Sequence, residues 1–325
     1  MTNYPAGYVV ISIQDASRSR PILIDAWYPA AADAEKPFDY KPGLGRVAEN
    51  AAVVDAVLPL IVLSHGAFGA ARNYSWIAEH LARAGYIVAG VSHFGESFVY
   101  GPARIDPKYA LQPWHRPLDC AFVLDYLLGQ SRFKAVADPA RIGGLGHSSG
   151  GATVMELAGA RLDLAAMQRY CRSEEGRMDK GCQYAAGVVS PTPQMAEAGR
   201  SFKDDRVKAI VALDPALGPG HTAESLSSIT VPVHVVGAVE NDFLPYESHA
   251  ARYARIIPGA EHTRLTSGEG HFVFLDECKT DTEANGVPLC KDREGVQRGA
   301  VHGRLAETIQ RFFDLHLKGD RPGLG

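Results

Sequence analysis

The chain has 325 residues, 46% of them hydrophobic, with 33 Lys and Arg against 37 Asp and Glu and a formal net charge of −4. That length and apolar content allow one large buried core, and the near balance of charge, with no basic tract interleaved with aromatics, argues against nucleic acid as a partner. No apolar run approaches the roughly 20 residues of a membrane-spanning helix, and the opening Met1-Thr2-Asn3-Tyr4-Pro5 lacks the charged and apolar regions of a secretory leader.

Taken in chain order, Tyr8–Ile13 and Ile22–Tyr28, separated by the polar turn Asp15–Arg20, predict an antiparallel hairpin. The Pro- and Gly-rich stretch Pro29–Gly45 is expected to be a loop. Leu58–Leu63 is a continuous aliphatic run bounded by turn signals, the pattern of a central parallel strand. Asn73–Ala84 has helical spacing, stops at Gly85 and feeds a strand at Tyr86–Val91, which makes a strand–helix–strand crossover. A further helix is expected over Leu118–Leu128, a short strand at Arg141–Leu145, and a helix from Ala152. Strands at Arg206–Leu213, Val231–Val236 and Thr263–Leu265, a helix around Tyr246–Ile256 and a closing helix at Gly303–Leu317 complete the alternation. The fold class is α/β, a doubly wound, mostly parallel sheet whose ligands bind at the carboxyl ends of the strands. The polar segment Ala160–Lys203 interrupts that rhythm and is expected to be a small cap or lid within a single domain spanning residues 1–325.

Gly146-His147-Ser148-Ser149-Gly150 lies between the predicted strand and helix, the setting of a nucleophile elbow. A serine on so sharp a turn needs small residues two positions to either side. Serine is a poor nucleophile until a histidine base takes its proton, and that base needs an orienting carboxylate. His271, in the Gly-rich turn after the last strand, fits the order Ser, acid, His; His65, His93, His115 and His302 have weaker claims. Two strand-end aspartates, Asp214 and Asp242, compete for the acid. The turn Ser64-His65-Gly66-Ala67-Phe68-Gly69 supplies backbone donors for a tetrahedral oxyanion, assigned to the N–H groups of Ala67 and of Ser149. His147, Phe68, Phe94 and Phe272 are assigned to substrate binding; with Phe98, Tyr100 and Trp114, the phenylalanines read equally as an apolar acyl or alcohol pocket or as core.

Four of the five cysteines form two local pairs, Cys171 with Cys182 and Cys278 with Cys290, each in a polar, loop-like segment. They read as disulfide staples of an oxidising compartment, periplasmic or extracellular with any leader removed, the alternative being reduced thiols in the cytosol. Cys120, in an apolar helical run, reads as a buried thiol. No metal-ligand spacing accompanies these cysteines, no P-loop is present, and no metal or cofactor is expected.

The segments Ile61–Gly66, Tyr86–His93, Gly146–Gly151 and Ala212–Pro215 resemble the α/β-hydrolase group that contains platelet-activating-factor acetylhydrolases and bacterial predicted dienelactone hydrolases. The resemblance covers most of the chain from about Leu58. It implies a cofactor-independent serine esterase with oxyanion donors at Ala67 and Ser149. In the acetylhydrolase branch the acid follows the strand matching Val207–Leu213, which points to Asp214. The C-terminal half, with Ala251–Tyr253, Ile257–Ala260 and Gly270–Cys278, is more similar to the dienelactone-labelled members, where the strand carrying Asp242 often holds the acid. True dienelactone hydrolases use cysteine where this chain has Ser148, so their activity does not carry over. The expected function is hydrolysis of a small-molecule ester with an apolar part. An amidase or lactone hydrolase on the same triad, and an inactive binding protein on the scaffold, are the alternatives.

Overall fold

Aliphatic runs with no polar alternation need cover on both faces, and the computed structural model, which describes residues 3–32, 34–185 and 193–319, supplies it. In chain order it contains β1 (Ala6–Asp15), β2 (Arg20–Pro29), β3 (Lys36–Asp39), β4 (Leu44–Glu49), β5 (Leu58–Ser64), α1 (Ser75–Arg83), β6 (Ile87–Ser92), α2 (His115–Gly129), β7 (Ala137–His147) and α3 (Ser149–Ala158). There follow α4 (Leu164–Arg172), α5 (Glu174–Met178), β8 (Val207–Leu213), α6 (Ala223–Ser227), β9 (Val233–Ala238), α7 (Ala250–Ile256), β10 (Glu261–Leu265), the short pair β11 (Glu283–Ala284) and β12 (Val287–Pro288), and α8 (Arg298–Phe313).

Ten strands form one sheet in the order β10-β9-β8-β7-β5-β6-β2-β1-β4-β3. From β10 to β6 every pairing is parallel, and β6–β2 and β2–β1 are antiparallel. Successive side chains of β5 enter opposite cores: Leu60 and Val62 pack with residues of α2, α3 and α7, Ile61 and Leu63 with residues of α1 and α8. The expected hairpin and parallel strands are present. The expected loop Pro29–Gly45 is not wholly a loop, because Lys36–Asp39 forms β3 and pairs with β4. This is a short, largely exposed edge strand, where a proline such as Pro37 costs no interior ladder bond. Helix α2 starts at His115 rather than Leu118, since Pro117 in a first turn lacks only an N–H that would be unpaired there. Helix α8 likewise begins at Arg298, ahead of the expected Gly303.

The segment 160–203 holds α4, α5 and two 3₁₀ turns, Lys180–Ala185 and Pro193–Gly199, while its residues 186–192 lie outside the described residues. A disulfide joins Cys171 to Cys182, with an S–S distance of 1.99 Å, and a second joins Cys278 to Cys290. Cys120 is a buried free thiol. The 160–203 segment is tied to the loops after β9 by Lys180 N donating to Phe243 O (2.9 Å) and His249 Nε2 donating to Asp179 Oδ2 (2.7 Å). Among the described residues, no helix is long and apolar enough to cross a membrane.

Candidate active site

Strand β7 and helix α3 meet at Ser148, whose φ of 56° and ψ of −120° are strained for a residue with a side chain. The turn closes because its neighbours lack side chains. A Cβ on Gly146 would collide with the carbonyl of Gly150, and one on Gly150 with the carbonyl of Ser64. A Cβ on Gly151 would stand 2.8 Å from Pro215 Cα, so the turn also accommodates the chain leaving β8. Ser148 N donates to Leu213 O (3.0 Å) and Ala216 N donates to Ser148 O (2.9 Å), which fix the elbow against the end of β8. Phe68, at φ 59°, and Asp214, at φ 40°, are two further non-glycine residues in the left-handed region, both following carboxyl ends of strands.

His271 opens the short 3₁₀ turn after β10 and is 1% exposed. Its Nδ1 donates to Asp214 Oδ2 at 3.1 Å. Asp214 also accepts from Ala238 N on Oδ1 (2.9 Å) and from Asn241 Nδ2 on Oδ2 (2.5 Å). The amide of Asn241 is itself oriented, because its Oδ1 accepts from Phe243 N and Leu244 N. Asp242 does not meet the imidazole in this arrangement. Its Oδ1 accepts from the backbone N–H of His271 at 2.9 Å, and its carboxylate pairs with Arg293 at 3.6 Å. The two aspartates therefore meet the same histidine at different atoms, one at the ring and one at the main chain.

Burial pushes the imidazole of His271 down to about 3 and the carboxyl of Asp214 up, the latter opposed by the donors from Ala238 and Asn241. With both carboxylate oxygens already accepting N–H bonds, the shared proton belongs on Nδ1 and leaves Nε2 unprotonated. That nitrogen is buried and has no hydrogen-bond partner among the described residues. Phe243 stacks on the ring at 5.0 Å and 11°, and His147 lies on it at 4.6 Å, so the imidazole has little room to turn.

Ser148 and His271 line one cavity of about 920 Å³ together with Gly66, Ala67, Phe68, Phe98, His147 and Phe272. A second, smaller cavity of about 100 Å³ reaches Ser148 from the side of Ala67 and Ser149, with Met167, Leu217 and Leu244 among its walls. Ala67 N makes no backbone hydrogen bond with a described residue, and Ser149 N is at the first position of α3, where no helical carbonyl reaches it. A Cβ on Gly66 would be 3.3 Å from Ser148 Cβ, a measure of how closely this turn approaches the serine. Phe94 lines neither cavity; its ring packs on Tyr100 and Tyr109, so the substrate-binding assignment made for it is corrected. Trp114 is buried against Leu162 and Ala198, and the Tyr100 hydroxyl is spent on Ser92 O and Leu23 N.

Residues 46–107, from β4 through the Gly66–Ala67 turn to the loop after β6, match the family model of platelet-activating factor acetylhydrolase, isoform II. A bis(hydroxyethyl) terephthalate hydrolase of Streptomyces coelicolor is 28% identical over 125 residues, 38% of this chain. The chain spans only about a third of that relative's length, 36%. The structure of a ferulic acid esterase from Streptomyces cinnamoneus aligns over 99% of this chain and 94% of that one, with a TM-score of 0.60 at 21% identity. The chain has the α/β-hydrolase fold.

The fold also holds a hydrogen-bonded serine–histidine–aspartate set away from Ser148. Ser64 Oγ donates to His93 Nε2 (2.9 Å), and His93 Nδ1 donates to Asp119 Oδ2 (3.1 Å). All three are at most 1% exposed and line neither cavity at Ser148. Burial would raise Asp119, but the hydrogen bonds from His93 and Arg20 outweigh it and hold the carboxyl well below the usual range. It is a fastening between β5, the loop after β6, α2 and the arginines Arg18 and Arg20. Replacing Asp119 with alanine leaves the buried Arg20 without its carboxylate, while Arg18 keeps Asp15, so a loss of about 3–5 kcal/mol is expected. The check is thermal unfolding, where the midpoint should fall by roughly 5–10 °C.

Sequence reasoning missed Asn241, Tyr74, Tyr184 and Phe243, and the wall that the Cys278–Cys290 loop gives the larger cavity through Lys279, Thr280, Glu283 and Asn285. Asn241 had a signal, an amide beside a strand-end aspartate. The others had none, because their relevance depends on where distant loops come to rest.

Proposed function

We propose that this chain is a serine carboxylic-ester hydrolase. The observation that carries the reading is a buried histidine with Nδ1 bound to Asp214 and Nε2 unpartnered, lining one cavity with a strained elbow serine. Ser148 Oγ attacks the ester carbonyl while His271 Nε2 takes its proton, and the oxyanion lies against the N–H groups of Ala67 and Ser149. Collapse breaks the bond to the alkoxy group, which leaves with the proton from Nε2. Water then gives a proton to Nε2, attacks the acyl carbon and releases the acid, and the proton returns to Ser148. Asp214 holds the Nδ1–H tautomer and stabilises the imidazolium.

The rings of Phe68, Tyr184, Phe243 and Phe272 around the larger cavity suit an apolar or aromatic part of the ester, as in the bis(hydroxyethyl) terephthalate after which the Streptomyces coelicolor relative is named. Residues 160–203 act as a cap within one domain, and the two disulfides fit a periplasmic or extracellular location. The test is turnover of 4-nitrophenyl esters from acetate to decanoate, together with labelling by a fluorophosphonate. Turnover with the label on Ser148 supports the reading; no turnover of any ester and no label would sink it.

The pH dependence has a defined sign. The neutral imidazole is the base, and burial holds His271 below its usual ~6.5, at about 3. Activity should therefore persist as pH falls through 6.5 and decline only at more acid pH. A profile of kcat/KM from about pH 4 to about pH 9 checks this, and an acid limb centred at or above 6.5 would contradict it.

A further inference from the structure

Three segments of the proposed site come from distant parts of the chain: the Gly66–Ala67 turn, the elbow and the His271 loop. One set of hydrogen bonds runs through all three. Gly66 N donates to Tyr74 Oη (3.0 Å), Tyr74 Oη lies 2.9 Å from His147 Nδ1, and His147 Nε2 lies 3.0 Å from the carbonyl oxygen of His271. A carbonyl only accepts, so His147 Nε2 carries the proton and Nδ1 must accept. Tyr74 then donates its hydroxyl proton to Nδ1 and uses its oxygen for Gly66 N. Every direction follows from the carbonyl at the end and the neutral ring of His147.

The participants are shut from solvent, with Tyr74 2% and His147 1% exposed, and their rings lie 5.7 Å apart. Burial keeps His147 neutral, well below the usual imidazole value, as the assigned tautomer needs. His147 immediately precedes Ser148 in the chain, and Gly66 immediately precedes the proposed donor Ala67. Its two ring nitrogens are both occupied within the protein, which leaves substrate only the ring surface.

We propose that Tyr74 and His147 are positioning residues that lock the oxyanion turn and the His271 loop to the elbow as one unit. For its kinetic consequence this rests on the ester hydrolase reading; for its structural consequence it does not.

The experiment compares wild type, Tyr74→Phe, His147→Gln, the double variant and Tyr100→Phe. Tyr100 is a control, a tyrosine whose hydroxyl bonds backbone groups of Pro21, Leu23 and Ser92, away from the site. Amide hydrogen exchange is followed in peptides covering 64–70 and 268–275, alongside kcat and KM for 4-nitrophenyl butyrate. Tyr74→Phe is expected to accelerate exchange in both peptides and to lower kcat about 10- to 100-fold with KM within about twofold. The double variant should lose no more kcat than the worse single one, and Tyr100→Phe should alter neither readout. Acceleration in only one peptide or in neither, kcat losses that multiply, or the same response from Tyr100→Phe would overturn the coupling. If wild type cleaves no ester while exchange in both peptides still responds to Tyr74→Phe alone, the coupling stands and the esterase reading falls.

Discussion

Alanine at Ser148 is expected to lower kcat by about 10⁴- to 10⁶-fold on any ester the wild type hydrolyses, because it removes the nucleophile of a unit whose members act together. What remains would come from the Ala67 and Ser149 donors acting on a bound ester attacked directly by water. The fold should tolerate the change. Alanine bears the same Cβ at φ 56°, and the bonds that hold the elbow, Ser148 N to Leu213 O and Ala216 N to Ser148 O, are main-chain bonds. Steady-state kinetics paired with a thermal melt make the check. A variant that melts with wild type yet keeps more than about a tenth of its kcat would exclude Ser148 as the nucleophile.

The second large effect separates the two aspartates. Asparagine at Asp214 is expected to cost about 10⁴-fold in kcat, since the amide can present N–H to Nδ1 and turn the imidazole toward the tautomer that cannot accept from Ser148. It would also place an amide where Ala238 N and Asn241 Nδ2 already donate. Asparagine at Asp242 keeps an oxygen to accept from His271 N and loses mainly the pairing with Arg293, which is partly exposed. Its cost should stay below about 10-fold, in line with the small worth of an exposed ion pair. The decisive measurement is the ratio of the two kcat losses: a larger loss at Asp242 would reverse the assignment of the orienting carboxylate.

Much of the architecture is legible in the sequence, and the particular residues show why. Leu58–Leu63 and Ala209–Leu213 lie in strands because aliphatic runs of that kind are stable only between two covered faces. The disulfides were legible from two local cysteine pairs, each closing a short loop, with sequence separations of 11 and 12. Where reading fell short, the path of a loop or a contact between distant segments decided. Phe94 looked like a pocket aromatic by proximity to a strand end, yet its loop carries the ring onto Tyr100 and Tyr109. His147 looked available to substrate, but Tyr74, 73 residues earlier, and the His271 carbonyl, 124 residues later, occupy both its nitrogens.

By itself, the sequence determined the parallel sheet, the elbow at Ser148 and the glycines that close it, because each depends on side-chain periodicity or on sterics among near neighbours. Only the tertiary structure decided which aspartate meets the His271 ring, and which rings and disulfide loop wall the cavity. Asp214 directly follows β8 and Asp242 lies four residues beyond β9, both at hydrogen-bonding distance of the same histidine, so the choice turns on backbone angles such as the φ of 40° at Asp214 and on the path of a loop 57 residues away, which no local pattern encodes.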